Sequence, residues 1–141
     1  MSCGTLPTDP LTRYAAGGIR LALPPWAEQV YKDLGLAVPP PVEVLAVVDT
    51  GATHTCVHPR VRASLGLPAT GTVDMGTASG AVERCITYPV RVLFADGNFV
   101  DLTVAEFPPK QSNMDCLLGC DILQFAVFIY NGPQKQFTIC L

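Results

Sequence analysis

Apolar and polar positions along the chain form short stretches that predict β-strands separated by turns. The predicted strands cover residues 18–23, 42–48, 81–83, 86–94, 99–106, 127–130 and 136–141. Segment 42–48 is nearly all apolar, which is typical of a strand buried on both faces. Many short strands with Gly- and Pro-containing turns between them predict an all-β barrel or sandwich. No internal repeat or second domain is visible.

One stretch has the period of a helix instead. Trp26, Val30 and Leu34 are spaced by four residues, so they would share one face of a helix over 26–34. Two prolines precede this stretch, and three consecutive prolines after it predict an extended linker. We expect the three apolar side chains to pack in the core rather than to form a groove for a partner.

Composition narrows the class of protein. The 141 residues are 49% hydrophobic and 15% charged, with nine Lys plus Arg and a formal net charge of −3. This argues against a disordered chain and against a nucleic-acid-binding protein, which needs clustered cations. No apolar run approaches the roughly 20 residues of a membrane span, and the first residues lack the pattern of a secretory signal. We expect one soluble domain.

Six cysteines leave two possibilities, a disulfide framework or free thiols. They are Cys3, Cys56, Cys85, Cys116, Cys120 and Cys140. The chain does not resemble a small secreted domain, so we favour free thiols buried as small apolar groups in a reducing compartment. The expected location is the cytoplasm.

The predicted strand 42–48 leads directly into Asp49, Thr50 and Gly51. A carboxylate just past an apolar strand is costly unless it is paired or hydrogen-bonded, and a glycine beside it lets another backbone approach closely. The motif alone is weak evidence for a functional site, because an ordinary Asp-Gly turn at the end of a strand can have the same sequence. Its meaning depends on the rest of the chain.

Two further features accompany it. Residues 117–123 (LLGCDIL) predict a strand, a turn and a short helix, with Asp121 suited to cap that helix. Residues 73–83 predict two strand arms around a tip of small residues, as a mobile hairpin would need.

Taken in order, these three features resemble the retropepsin-like aspartic proteases, the one-lobed relatives of pepsin, and the ending of the chain is similar to the closing hairpin of small bacterial members. The resemblance implies a closed β-barrel-like lobe with a flap hairpin and one or two short helices. It places the domain at 17–141, with a helical insertion at about 24–41, after an N-terminal tail over 1–16.

The same resemblance implies an aspartic endopeptidase that needs no cofactor or metal and works as a homodimer, in which two copies of Asp49 activate a water molecule. Thr50 would lock the pair across the dimer, and Gly51 would leave room for substrate. The substrate would be a peptide or protein with apolar residues near the cut. The implied substrate-binding residues are Ala52, Met75, Gly76, Thr77, Ala78, Ser79, Gly80, Leu118 and Gly119.

Two positions depart from the viral pattern. Thr53 and Cys120 stand where the viral enzymes have an acidic residue and an arginine that form an ion pair. Loss of both leaves no orphaned charge, so activity is compatible with the sequence. The alternative is a catalytically weak or inactive module of this fold that binds peptides or proteins through its dimer groove.

Two smaller alternatives concern metal and redox chemistry. His54, Cys56 and His58 alternate, so on one strand they would share a face that could bind zinc. We favour incidental polar positions, because no fourth ligand is evident. Cys120 could control the dimer by oxidation, but a buried structural thiol is the favoured interpretation.

Overall fold

The computed structural model describes residues 3–7, 16–77, 79–108 and 114–141. Within these ranges it contains ten strands and three helices. In chain order they are β1 Cys3–Pro7, β2 Ala16–Ala22, α1 Pro25–Asp33, β3 Val42–Val48, β4 Cys56–Val57, α2 Pro59–Leu65, β5 Gly71–Gly76, β6 Val82–Leu93, β7 Phe99–Glu106, β8 Cys116–Leu118, α3 Cys120–Leu123, β9 Val127–Asn131 and β10 Gln136–Cys140.

Six strands close into a barrel in the order β2-β3-β8-β4-β7-β6, and β6 pairs back with β2. Closure is possible because β6 is twelve residues long. Its first half pairs with β5, which lies outside the ring, and its last residues pair with β2. The predicted class, an all-β closed barrel with a hairpin, is confirmed. No helix in the described ranges has the length and apolar content to span a bilayer.

The barrel interior is filled by alternate residues of its strands. Tyr88, Val90 and Val92 of β6 point inward and are fully buried, and burial of each valine side chain contributes about 1.5–3 kcal/mol. The prediction that β3 is buried on both faces is wrong: Val44 and Ala46 are buried, but Leu45 is exposed. A barrel has one interior, so the outer face of β3 meets solvent.

A second, three-stranded sheet, the terminal sheet, has the order β1-β10-β9. Cys3 lies opposite Cys140 in the β1–β10 ladder, and the two form a disulfide. The expectation that all six cysteines are free is therefore wrong. The segment treated as an N-terminal tail contributes strand β1, while residues 8–15 lie outside the described ranges. The domain boundaries stay a prediction.

Helix α1 has the predicted position, but the face that was expected to be buried is exposed to solvent. Trp26, Val30 and Leu34 are 53%, 48% and 67% exposed, so their predicted core role is wrong. The helix instead buries Ala27 and packs the partly buried Tyr31 against the core. These two residues are also four apart, and helical spacing identifies a face without saying which of two competing faces is covered.

Helix α2 is absent from the sequence-based prediction, which expected one or two helices. Pro59 occupies its first position, the His58 ring accepts a hydrogen bond from Arg60 N, and Gly66 ends it with φ +63°. All three are standard helix-boundary signals. Its apolar residues Val61 and Leu65 are buried in the core.

The strand prediction also missed β1 and β4 and divided one strand into two. Segments 81–83 and 86–94 are one strand, β6, because Arg84 and Cys85 continue the ladder opposite Asp74 and Val73. The polar residue Arg84 interrupted the apolar pattern in the sequence. In the structure it is exposed and forms a salt bridge with Asp74 on the neighbouring strand.

The disulfide should matter for stability, since it closes a loop with a sequence separation of 137 residues. Replacing both Cys3 and Cys140 by Ser should lower the free energy of unfolding by about 2–5 kcal/mol, measured by urea denaturation. Cys120→Ser, at an exposed free thiol, is the matched control and should change it by less than about 0.5 kcal/mol. Thiol titration of the denatured, unreduced protein should find four free thiols; six would contradict the pairing.

Candidate active site

Asp49 follows β3 in a tight loop that its own side chain organises. Its backbone N donates to Leu118 O at 3.0 Å, and its Oδ1 accepts from Gly51 N at 2.8 Å. Ala52 N donates a hydrogen bond to Asp49 O at 3.2 Å. The cost of placing a carboxylate at the end of an apolar strand is thus offset by hydrogen bonding within the loop.

The Asp49 loop and the segment at Gly119 lie in direct backbone contact. A Cβ on Gly119 would stand 2.6 Å from both C and O of His54 and 3.0 Å from Ala52 O. Cys120 N donates to Ala52 O at 2.8 Å across the same contact. Close approach was predicted for Gly51, but a Cβ there would meet only Asp49 Oδ1, at 3.2 Å, within the described part of the chain. Gly119 is the glycine on which this contact depends.

Asp121 fastens the two segments together. Its carboxylate accepts from Thr55 N at 2.8 Å and from Thr55 Oγ1 at 2.6 Å. Thr55 is fully buried, and its Oγ1 accepts in turn from Gly119 N at 3.1 Å. The N-cap position of α3 is Gly119 and not Asp121. The Asp121 carboxylate nevertheless accepts from Ile122 N at 2.9 Å in the first turn of α3, so it serves the helix and the tertiary contact together.

The hairpin of β5 and β6 is present, with Thr77 closing its turn. Thr77 N donates to Ala81 O at 2.8 Å, and Gly80 N donates to Thr77 O at 2.9 Å. Gly80 has φ +82°, a conformation that favours glycine. Ser79 Oγ lies 2.8 Å from Thr77 Oγ1. Ala78, a predicted substrate-binding residue, lies outside the described ranges.

An open cleft of about 350 Å³ lies between the Asp49 loop and this hairpin. We call it the Asp49 cleft. Its lining residues are Asp49, Gly51, Ala52, Cys56, Met75, Gly76, Thr77, Phe107, Pro108 and Leu117.

Six of the lining residues are among those predicted from the sequence, and four are not. Cys56, Phe107, Pro108 and Leu117 were missed. Strand alternation could have found Leu117, because it and Leu118 must point to opposite sides of β8.

Other predicted site residues do not line the Asp49 cleft. Leu118 is buried in the barrel core, and Gly119 is buried against the Asp49 loop. Thr50 is exposed beside Asp49, and Ser79 and Gly80 are exposed at the hairpin tip.

The sequence profile of the family described as gag-polyprotein putative aspartyl protease matches residues 41–125, more than half of the chain. The chain belongs to this aspartyl protease family. The matched range holds the Asp49 loop, the hairpin and the Gly119 segment, and it leaves out β1, β2, α1 and the β9–β10 hairpin. No curated protein sequence matches the chain.

Two solved structures align with this family member at low sequence identity. A retropepsin-like aspartic protease from Rickettsia conorii aligns with TM-score 0.61 and 14% identity, over 98% of this chain and 91% of the other. The EIAV protease, solved with the inhibitor HBY-793, aligns with TM-score 0.49 and 16% identity, over 84% of this chain and 92% of the other. The first match supports the closed-barrel architecture already described.

The floor of the cleft in this aspartyl protease family member is apolar and contains sulfur. Cys56 Sγ lies 3.8 Å from Met75 Sδ. Burial, with smaller contributions from nearby Cys85 and Asp121, raises the pKa of the Cys56 thiol to about 12. The thiol is therefore protonated at neutral pH and acts as a small apolar group.

The geometry does not match the zinc alternative, which the sequence analysis did not favour, or the expected burial of Cys120. Strand β4 covers only two residues, so His58 caps α2 instead of sharing a strand face with Cys56, and the His54 ring bonds Thr53 Oγ1 at 2.9 Å. In the ranges the structure describes, no three His, Cys, Asp or Glu side chains are grouped to hold a metal. Cys120 is exposed, and its Sγ donates to Thr50 O at 3.2 Å.

Removal of the Asp121 carboxylate should loosen the site. Asp121→Ala leaves the buried Thr55 N and Oγ1 without their acceptor, at about 1–3 kcal/mol for each unsatisfied group. We expect the free energy of unfolding to fall by about 2–4 kcal/mol, measured by urea denaturation. Asp121→Asn keeps one acceptor oxygen and should lose less, and Asp33→Ala on exposed α1 should lose almost nothing. Unchanged stability of Asp121→Ala would contradict the role given to this carboxylate.

Proposed function

We propose that this chain is an aspartic endopeptidase that acts as a homodimer, with Asp49 from each of two copies activating one water molecule. The observation that supports this proposal most directly is the Asp49 carboxylate, which its own loop holds in the lining of the Asp49 cleft. Membership of the aspartyl protease family supports this chemistry.

One copy offers half of the required groups. Asp49 is the single ionisable carboxylate among the described lining residues of the Asp49 cleft. Hydrolysis of a peptide bond by acid–base catalysis needs a base for the water and an acid for the carbonyl oxygen. A second copy related by a two-fold axis supplies an identical Asp49, which is the simplest way to complete the pair.

The two carboxylates would share one proton, since like charges a few ångströms apart cannot both ionise easily. The ionised Asp49 removes a proton from water, the oxygen attacks the peptide carbon, and the protonated Asp49 donates its proton to the carbonyl oxygen. In the second half the proton roles reverse: one carboxyl group protonates the departing nitrogen as the other takes the proton from the tetrahedral intermediate. Water is consumed and no cofactor is required.

Thr50 and Gly51 would position the pair. Thr50 is exposed beside Asp49, so its side chain is free of the barrel core and can bond across the two-fold axis. Gly51 fixes one carboxylate oxygen through its N–H and adds no side chain to the cleft. A substrate backbone can therefore approach the carboxylates directly.

The hairpin would close over an extended peptide. Gly76 and Thr77 border the Asp49 cleft near the hairpin turn, where backbone groups can bond an added strand. The adjoining wall of Met75, Phe107 and Leu117 favours a large apolar side chain near the cut. Residues 76–80, with Ala52, are the proposed flap and substrate contacts.

The two departures from the viral pattern leave no unpaired charge here. Thr53 bonds the neighbouring His54 ring, and Cys120 donates its thiol hydrogen to Thr50 O. Both side chains are neutral and hydrogen-bonded, so the loss of the ion pair leaves no unpaired buried charge. This supports a catalytically competent site.

The cytoplasmic location stays a prediction. The Cys3–Cys140 disulfide weighs against it, because such bonds persist mainly in oxidising compartments.

Asp49→Asn should abolish cleavage of an unstructured, apolar-rich protein at mildly acidic pH. The amide oxygen can still accept from Gly51 N, so the fold should persist while acid–base catalysis worth about 10²–10⁴-fold in rate is lost. The measurement is the initial rate of peptide-bond hydrolysis, followed by mass spectrometry of the products. Asp33→Asn, the same change on exposed α1, is the matched control and should cleave like wild type.

Equal cleavage by wild type and Asp49→Asn would overturn the enzymatic proposal. If instead wild type cleaves nothing yet binds the peptide as tightly as Asp49→Asn, the groove is a binding module and the protease proposal fails.

A further inference from the structure

Strand β5, the first arm of the hairpin, has one strand neighbour. In the described part of the chain it pairs with β6 alone. Val73 and Met75 are two residues apart, so they lie on one face of β5, and both pack against a small buried cluster. The cluster consists of Cys56, Cys85, Ala105 and Phe107. The position of the hairpin over the Asp49 cleft therefore depends on a small apolar contact to which Met75 contributes.

Met75 is half-buried and borders two open cavities. One is the Asp49 cleft. The other has a volume of about 280 Å³, and its polar lining residues are Thr53, His54 and Asp74. A cavity of roughly 15 Å³ already holds a water molecule, and hydrogen peroxide has only two heavy atoms. A small oxidant can therefore reach Met75 from either cavity.

The nearest sulfur atom does not compete with Met75 for an oxidant. Cys56 Sγ lies 3.8 Å from Met75 Sδ, but Cys56 is only 2% exposed, and burial raises the pKa of its thiol to about 12. Peroxide reacts with the thiolate form of cysteine, whereas a thioether reacts without losing a proton. Of these two sulfur atoms, the Met75 thioether is therefore the one open to oxidation.

We propose that Met75 is a reversible oxidation site whose state controls how firmly the hairpin is held over the Asp49 cleft. Hydrogen peroxide supplies the oxygen atom: an S–O bond forms at Met75 as the O–O bond breaks, and the released hydroxide takes the proton from the sulfur-bound oxygen and leaves as water. The sulfur loses two electrons and the peroxide gains them. Methionine sulfoxide reductases return the sulfoxide to the thioether.

Oxidation should loosen the hairpin because it changes the polarity of the contact. The sulfoxide places a strongly polar oxygen against the apolar cluster that holds Met75, and burial of a polar group without a good partner is unfavourable. The effect on catalysis rests on the proposed function, since a loosened hairpin slows cleavage only if the chain is a protease that closes the hairpin over its substrate.

Treatment of the full chain with hydrogen peroxide tests the site. Peptide mapping by mass spectrometry should find one added oxygen atom on Met75. Amide hydrogen exchange of β5 should then become roughly tenfold faster, and peptide cleavage roughly tenfold slower. Methionine sulfoxide reductase should reverse both changes. Each protein is compared with its own untreated state.

Two leucine variants identify the methionine responsible. Met75→Leu keeps an apolar side chain of similar volume that cannot form a sulfoxide, so peroxide should change neither its hydrogen exchange nor its cleavage rate. Because this variant retains Cys120, it also separates oxidation of Met75 from oxidation of that exposed thiol. Met114→Leu, at a methionine that is 38% exposed and does not line the Asp49 cleft, is the matched control and should respond like wild type.

Three results would overturn the proposal: Met75 that stays unoxidised while Met114 is oxidised, oxidised Met75 with unchanged exchange of β5, or a Met75→Leu protein that responds to peroxide like wild type. A wild type that cleaves nothing, but whose β5 exchange rises on oxidation and falls after reduction, would support the oxidation site and contradict the protease proposal.

Discussion

The contact between the Asp49 loop and the Gly119 segment is the constraint on which the site depends. The two backbones approach so closely that a single added carbon on Gly119 would overlap His54. Around that contact, Asp49 N bonds Leu118 O, Cys120 N bonds Ala52 O, and the Asp121 carboxylate holds Thr55. Strands β3 and β8 bring the two segments together as parallel neighbours in the barrel. The loop geometry of Asp49 therefore follows from the barrel topology and one glycine.

Sequence reasoning succeeded where the signal is local. The bounds of β3 and β7 match their apolar runs, and the order of the three motifs identified the family. It failed where tertiary packing decides. Helical spacing could not say that α1 buries Ala27 and Tyr31 instead of Trp26, Val30 and Leu34, because both sets fit one face. The Cys3–Cys140 bond depends on a strand pairing between the two ends of the chain, and the role of Asp121 depends on a threonine 66 residues away.

The central claim is that each active site draws Asp49 from two chains. It is tested most directly by cleavage in mixtures of wild type with Asp49→Asn, after subunit exchange at constant total protein. If two copies share one site, every mixed dimer is inactive, and the rate should fall with the square of the wild-type fraction. A rate that falls in direct proportion to that fraction would show that each chain acts alone, and it would contradict the account.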